Sequence, residues 1–89
     1  MKPYRTITIP LEAQYLYQRG MMMVSLQRTD AAVNCFQQAV FIAPGFSKAY
    51  RELGNCLALL GRPEEASLYR VKASRTDPIL CNDAVENVP

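Results

Sequence analysis

The stretch Ala49–Gly61, AYRELGNCLALLG, decides how this chain folds. Tyr50, Leu53, Leu57 and Leu60 recur at spacings of three and four, so they share one face of an α-helix. Gly54 stands in the middle of that helix, where glycine costs roughly 1 kcal/mol relative to alanine. The chain must gain something at Gly54 that offsets the loss.

The neighbouring segments are also helical. Pro44-Gly45 precedes the stretch and Gly61 follows it, which predicts a helix over 47–60. Upstream, Pro10 opens a predicted helix over 11–26, with Leu11, Tyr15, Leu16, Met22, Met23 and Leu26 available for one broad apolar face. A second helix is expected over 30–42, with Thr29 as its N-cap and Val33, Phe36, Ala39 and Val40 as its stripe. Pro63, Glu64 and Glu65 have the composition of another opening turn, and that helix is expected to reach Arg75 before Asp77-Pro78. At the front, RTITI (residues 5–9) alternates polar and apolar residues as a short extended arm does, so residues 1–10 form the expected arm. Residues 79–89 are expected to form a capping segment with one short helix.

The pattern repeats. A shift of 34 residues carries Gly20 onto Gly54, Leu26 onto Leu60 and Arg28 onto Arg62. It also carries Ala32 onto Ala66, Ala39 onto Ala73 and Pro44 onto Pro78. A fixed period in this range is the sequence signature of a helical repeat.

These residues resemble the tetratricopeptide repeat, a 34-residue helical hairpin. The second unit (47–80) fits closely, with Tyr50, Leu53, Gly54, Leu57, Ala66, Ala73 and Pro78. The first (13–46) is looser, with Leu16, Gly20, Met23, Ala32, Phe36, Ala39 and Pro44. The resemblance implies an all-α fold: two tandem helix–turn–helix hairpins of an α-solenoid over residues 11–78, closed by the short C-terminal helix. It also implies a purpose for Gly20 and Gly54, which stand where the two helices of a hairpin touch. Ala32, Ala39, Ala66 and Ala73 are small for the same reason from the other side. Two departures stand out. Arg70 occupies the position held by Phe36 in the first unit, and Arg19 the position held by Leu53 in the second. Outer units of a solenoid turn a more polar face to water, which suits both; the alternative is that they reach across a subunit interface.

Proteins of this kind bind other proteins, and the first helix of each unit lines a concave groove. By that resemblance the groove residues are Gln14, Tyr17, Met21 and Val24 in the first unit, and Lys48, Arg51, Asn55 and Ala58 in the second. Tyr17 and Met21 suit an apolar anchor, Lys48 and Arg51 a carboxylate, and Asn55 a peptide backbone. The implied partner is a protein or peptide with an apolar residue beside an acidic one. The carboxylate clamp known from a three-repeat subclass is incomplete here, because Tyr17 and Met21 stand at clamp positions and a third repeat is lacking. Two repeats are also few, since about three are needed for stability. Either Tyr4, Ile7, Ile9 and the apolar tail cover the ends, or the chain associates with copies of itself as a structural subunit.

Composition narrows the remaining classes. The 89 residues suffice for one small domain, and 49% apolar with 20% charged residues argues against disorder. There is no histidine, no nucleophile motif and no Gly-rich phosphate loop, so an enzyme is not expected, nor a cofactor or a metal. Cys35, Cys56 and Cys81 form no Cys-x-x-Cys pair and suit small buried hydrophobes in a reducing, cytoplasmic setting. A net charge of +2, with seven arginines dispersed among acids, gives little support for nucleic-acid binding. No apolar run has the length of a membrane span, and Lys2 and Arg5 precede no apolar block of a secretory signal.

Overall fold

A computed structural model describes residues 9–76. They form four helices: α1 (Leu11–Ser25), α2 (Thr29–Ile42), α3 (Ser47–Leu59) and α4 (Pro63–Thr76). Helix α1 packs on α2, α3 on α4, and α2 on α3, so the described residues build two tandem antiparallel hairpins and contain no strand. Each boundary lies within one residue of its sequence expectation. The expected capping segment at 79–89, most of the arm, Pro78 and Cys81 lie outside the described residues.

The two hairpin turns are the same turn, one period apart. In the first, Gln27 takes a left-handed conformation (φ 61°). Its N–H donates to Val24 O (2.9 Å), and Arg28 N–H donates to Met23 O (2.8 Å). In the second, Gly61 is left-handed (φ 77°), Gly61 N–H donates to Ala58 O (3.1 Å) and Arg62 N–H to Leu57 O (2.9 Å). This is a Schellman ending, which satisfies the last carbonyls of a helix by reversing the chain. It also corrects the expected N-cap of α2. The turn is complete by Arg28, whose carbonyl already accepts from Ala32 N–H (3.0 Å), so Thr29 is the first helical residue and no side chain caps the helix.

Two apolar clusters hold the hairpins together. One joins Ala32, Val33, Phe36, Leu53, Cys56, Leu57 and Ala66, with Tyr17, Met23, Val24, Leu60 and Tyr69 at its edge. The other joins Ala13, Ala39, Ala43, Phe46 and Ala49, with Ile9 and Leu16 beside it. Tyr17 and Val40 touch both. Phe36, Leu53, Leu57 and Cys56 are the largest fully buried side chains, and all sit where α2 meets α3. The stripe of α2 and the face of α3 therefore point inward as their spacings predict.

The face of α1 differs from its expectation. Leu11, Tyr15, Met22 and Leu26 are exposed, while Ala13 and Gly20 are buried and Leu16, Tyr17, Met23 and Val24 pack half-buried beside them. The reason is the small residues. Gly20 lies so close to α2 that an added Cβ would stand 2.6 Å from the Phe36 ring. Ala13 and Gly20, two turns apart, set the contact line, and the larger apolar residues on the far side are left outside it. Gly54 does the same for the second hairpin: a Cβ there would meet the Ala66 carbonyl oxygen at 3.0 Å and Arg70 Cγ at 3.1 Å. Close approach of the helix pairs is what offsets the lost helix propensity.

Candidate functional site

Ala13, near the start of α1, and Ala49, near the start of α3, share a buried cluster with Phe46, the last residue of the α2–α3 turn. Phe46, at the N-cap of α3, holds this junction. Its carbonyl accepts from Ala49 N–H (3.1 Å) and Tyr50 N–H (3.2 Å), and its ring is buried in the second cluster. The Tyr17 ring leans on it at 5.1 Å between centroids, and on Phe36 at 5.7 Å, both tilted as aromatic pairs prefer.

Above this pair lies a cleft of about 410 Å³, lined by Ile9, Gln14, Tyr17, Gln18, Gly45, Phe46, Ser47 and Lys48. Its floor is aromatic and its rim is polar. Gln14 Nε2 donates to the Ile9 carbonyl (2.7 Å), which fastens the chain entering α1 to one wall. Lys48 stands exposed on the opposite wall. Burial raises the Tyr17 phenol above its ordinary value of 10.0; Glu52 adds to the rise and Arg51 opposes it. The phenol therefore stays protonated at neutral pH and can donate or accept a hydrogen bond.

Of the eight groove positions inferred from the sequence, Gln14, Tyr17 and Lys48 meet in this cleft. The others spread along the same two helices. Met21 is exposed, Val24 packs half-buried into the first cluster, Arg51 is half-buried, and Asn55 and Ala58 are exposed near the far end of α3. Asn55 Oδ1 accepts a long hydrogen bond from Arg70 Nη2 (3.4 Å), so it answers first to α4. The groove positions inferred from the sequence do not include Phe46 and Gln18, and Ile9 is expected there only as a cover for one end of the repeats. The signal at Phe46 is an aromatic residue directly after Pro44-Gly45, where a turn between two helices would otherwise carry a polar residue.

Elsewhere the second hairpin has its own aromatic contact. Tyr50 and Tyr69 stack at 6.3 Å between centroids, and Lys72 Nζ lies 5.4 Å from the Tyr69 ring centre. Burial, and then Tyr69, raise the Tyr50 phenol. Cys35 and Cys56 are buried free thiols, and burial followed by Glu52 raises Cys56 above its ordinary 9.0. A raised thiol is the opposite of an activated nucleophile, so Cys56 stays protonated at neutral pH. Among the described residues, no three Cys, Asp or Glu side chains gather as a metal site would require, and no helix is long and apolar enough to cross a membrane.

No protein-family model matches the chain, and no curated protein matches it at a significant level.

Proposed function

We propose that the chain is a non-enzymatic protein-interaction module of the tetratricopeptide type, a small adaptor, chaperone or assembly factor. It takes a short peptide, or one helix of a partner protein, against the α1 and α3 side of the hairpins. The cleft between those helices carries the reading: an aromatic floor of Tyr17 and Phe46 under a rim holding Gln14, Gln18 and Lys48. Few, well-placed polar groups around an apolar floor are what a peptide anchor needs. The floor accepts one apolar side chain, Lys48 attracts a neighbouring carboxylate, and the two glutamines bond the peptide backbone. The family assignment is supported by the 34-residue recurrence of turn, glycine and alanine, from Gln27 to Gly61, Gly20 to Gly54, and Ala32 to Ala66. The two buried thiols suit a reducing compartment such as the cytoplasm.

Selection of phage-displayed random peptides on the immobilised protein tests this reading. The expected binders pair an apolar residue with an Asp or Glu, and lose affinity on Lys48→Glu and on Gln14→Ala. Both positions are exposed, and Gln14→Ala removes only the surface bond to the Ile9 carbonyl, so helical circular dichroism should be unchanged in both variants. Binders indifferent to both substitutions, or no enrichment at all, would overturn the assignment of the cleft.

A further inference from the structure

We infer that two copies of this chain pair through the outer face of α1, antiparallel and about a two-fold axis. The face is the stripe that the core of the hairpin leaves out: Leu11 (80% exposed), Tyr15 (61%), Met22 (56%) and Leu26 (57%). At 3.6 residues per turn, these four fall within about 60° of arc. They lie on a different flank of α1 from the cleft residues Gln14 and Tyr17, and the two surfaces border each other only at Gln18, so the pairing does not depend on the reading of the cleft.

Three observations select a second copy as the occupant. The first is register. One period further on, Tyr15, Met22 and Leu26 correspond to Ala49, Cys56 and Leu60. On α3 that face is closed by α2, with Ala49 and Cys56 buried and Leu60 half-buried. On α1 the same face is apolar and open, built to receive a helix.

The second observation excludes the simple head-to-tail stack. Val33, Phe36 and Val40 are the α2 residues that close α3. Their counterparts on α4 are Ser67, Arg70 and Ser74, all exposed. A heterologous contact of that kind is disfavoured, whereas an isologous contact uses the α1 face twice.

The third observation is symmetry and size. The stripe is symmetric about the midpoint between Gln18 and Arg19: Leu11 and Leu26 lie equally far on either side, and so do Tyr15 and Met22. Antiparallel pairing therefore sets Leu11 against the partner's Leu26 and Tyr15 against the partner's Met22. Gln18 and Arg19 flank the stripe at the crossing, each beside its own copy in the partner; the Arg19 stem lies along the interface and its guanidinium extends into water, where the like charges are screened. The four side chains offer on the order of 500 Å² per copy, about 1,000 Å² for the pair, where specific interfaces begin.

Light scattering on the full chain, from low micromolar to submillimolar concentration, tests the pairing. The expected result is a reversible dimer that Met22→Glu weakens by about tenfold or more, with the helical circular dichroism unchanged. A monomer throughout would overturn the proposal, and would leave residues 1–8 of the same chain as the occupant of the stripe. A dimer indifferent to Met22→Glu would overturn it too. Register is tested separately with a short bis-maleimide on Leu11→Cys and Leu26→Cys variants, each carrying Cys81→Ser. A mixture of the two should cross-link between copies. Either variant alone should not, because like positions are about 22 Å apart along antiparallel helices. Equal cross-linking of each variant alone would overturn the antiparallel arrangement.

Discussion

Gly20 and Phe36 interlock. The Phe36 ring lies against the bare backbone of Gly20, so close that a Cβ there would stand 2.6 Å from Cε1 and under 3 Å from two more ring carbons. Phe36 is fully buried between α1 and α3, and its ring has nowhere to withdraw.

Gly20→Ala is therefore expected to destabilise the protein, although alanine is the better helix former by roughly 1 kcal/mol. Overpacking costs about 1–3 kcal/mol and exceeds that gain. Shrinking the ring should relieve it. In a double-mutant cycle with Phe36→Leu, Gly20→Ala should become neutral or stabilising, a coupling of about 1 kcal/mol or more. Urea unfolding of the four proteins measures this, and additive effects would show that the two residues do not compete for the same space.

The turns yield a prediction of opposite sign. Gln27 is the one non-glycine residue with positive φ among those described, and its counterpart Gly61 shows what the turn prefers. Gln27→Gly should stabilise by about 0.5–1 kcal/mol, since removal of left-handed strain outweighs the added freedom of the unfolded chain. Gly61→Gln should cost about as much. Nothing lies within 4 Å of a Cβ at Gly61, so the effect there is conformational and not steric. Thermal melts of the two variants should shift in opposite directions.

Glycine, proline and the 34-residue period made the four helices and both hairpins legible in the sequence, because each marks a backbone requirement that no distant contact can override. The inward face of α3 was legible for a related reason: Leu53 and Leu57 are buried by helices on both sides, so spacing alone identifies them. The face of α1 was not. Its largest apolar residues point to the outside, and the true contact line runs through Ala13 and Gly20, which carry almost no hydrophobic signal. Among the cleft residues, Gln14, Tyr17 and Lys48 follow from repeat register. Phe46 does not, since it stands in a turn, outside any helical periodicity, and only the packing of Tyr17 against it creates a floor.

Alkaline pH should unfold the protein through groups buried as neutral acids. The Cys56 thiol and the Tyr17 and Tyr50 phenols are raised above their ordinary values, in each case first by burial. The folded protein thus keeps protons that the unfolded chain has released. Their contribution is whole below the unfolded values, 9.0 for the thiol and 10.0 for the phenols, and is lost as pH rises through the folded ones. Stability measured by urea unfolding should be flat near neutrality and fall above pH 9. Cys56→Ala should remove the earliest part of that fall and leave the part that begins with the tyrosines. An unchanged profile in Cys56→Ala would assign the early fall to other groups.

Arg70 separates packing from charge at the position where the first hairpin carries Phe36. Its Cγ lies over Gly54, at 3.1 Å from where a Cβ would stand, while its guanidinium reaches Asn55 only at 3.4 Å. A bond that long contributes little, so the aliphatic stem should carry the side chain's share of stability. Arg70→Met keeps a stem of similar reach and should change stability by less than about 0.5 kcal/mol. Arg70→Ala uncovers Gly54 and should cost about 0.5–1 kcal/mol, and Asn55→Ala should cost almost nothing. The stem also limits what Gly54 can become. Gly54→Ala should be better tolerated with Arg70→Ala than alone, because one of its two close neighbours is then gone. The Ala66 carbonyl remains at 3.0 Å, so the relief should be partial, and Gly54→Leu should stay strongly destabilising in both backgrounds. Loss of stability in Arg70→Met equal to that in Arg70→Ala would place the contribution in the charge instead.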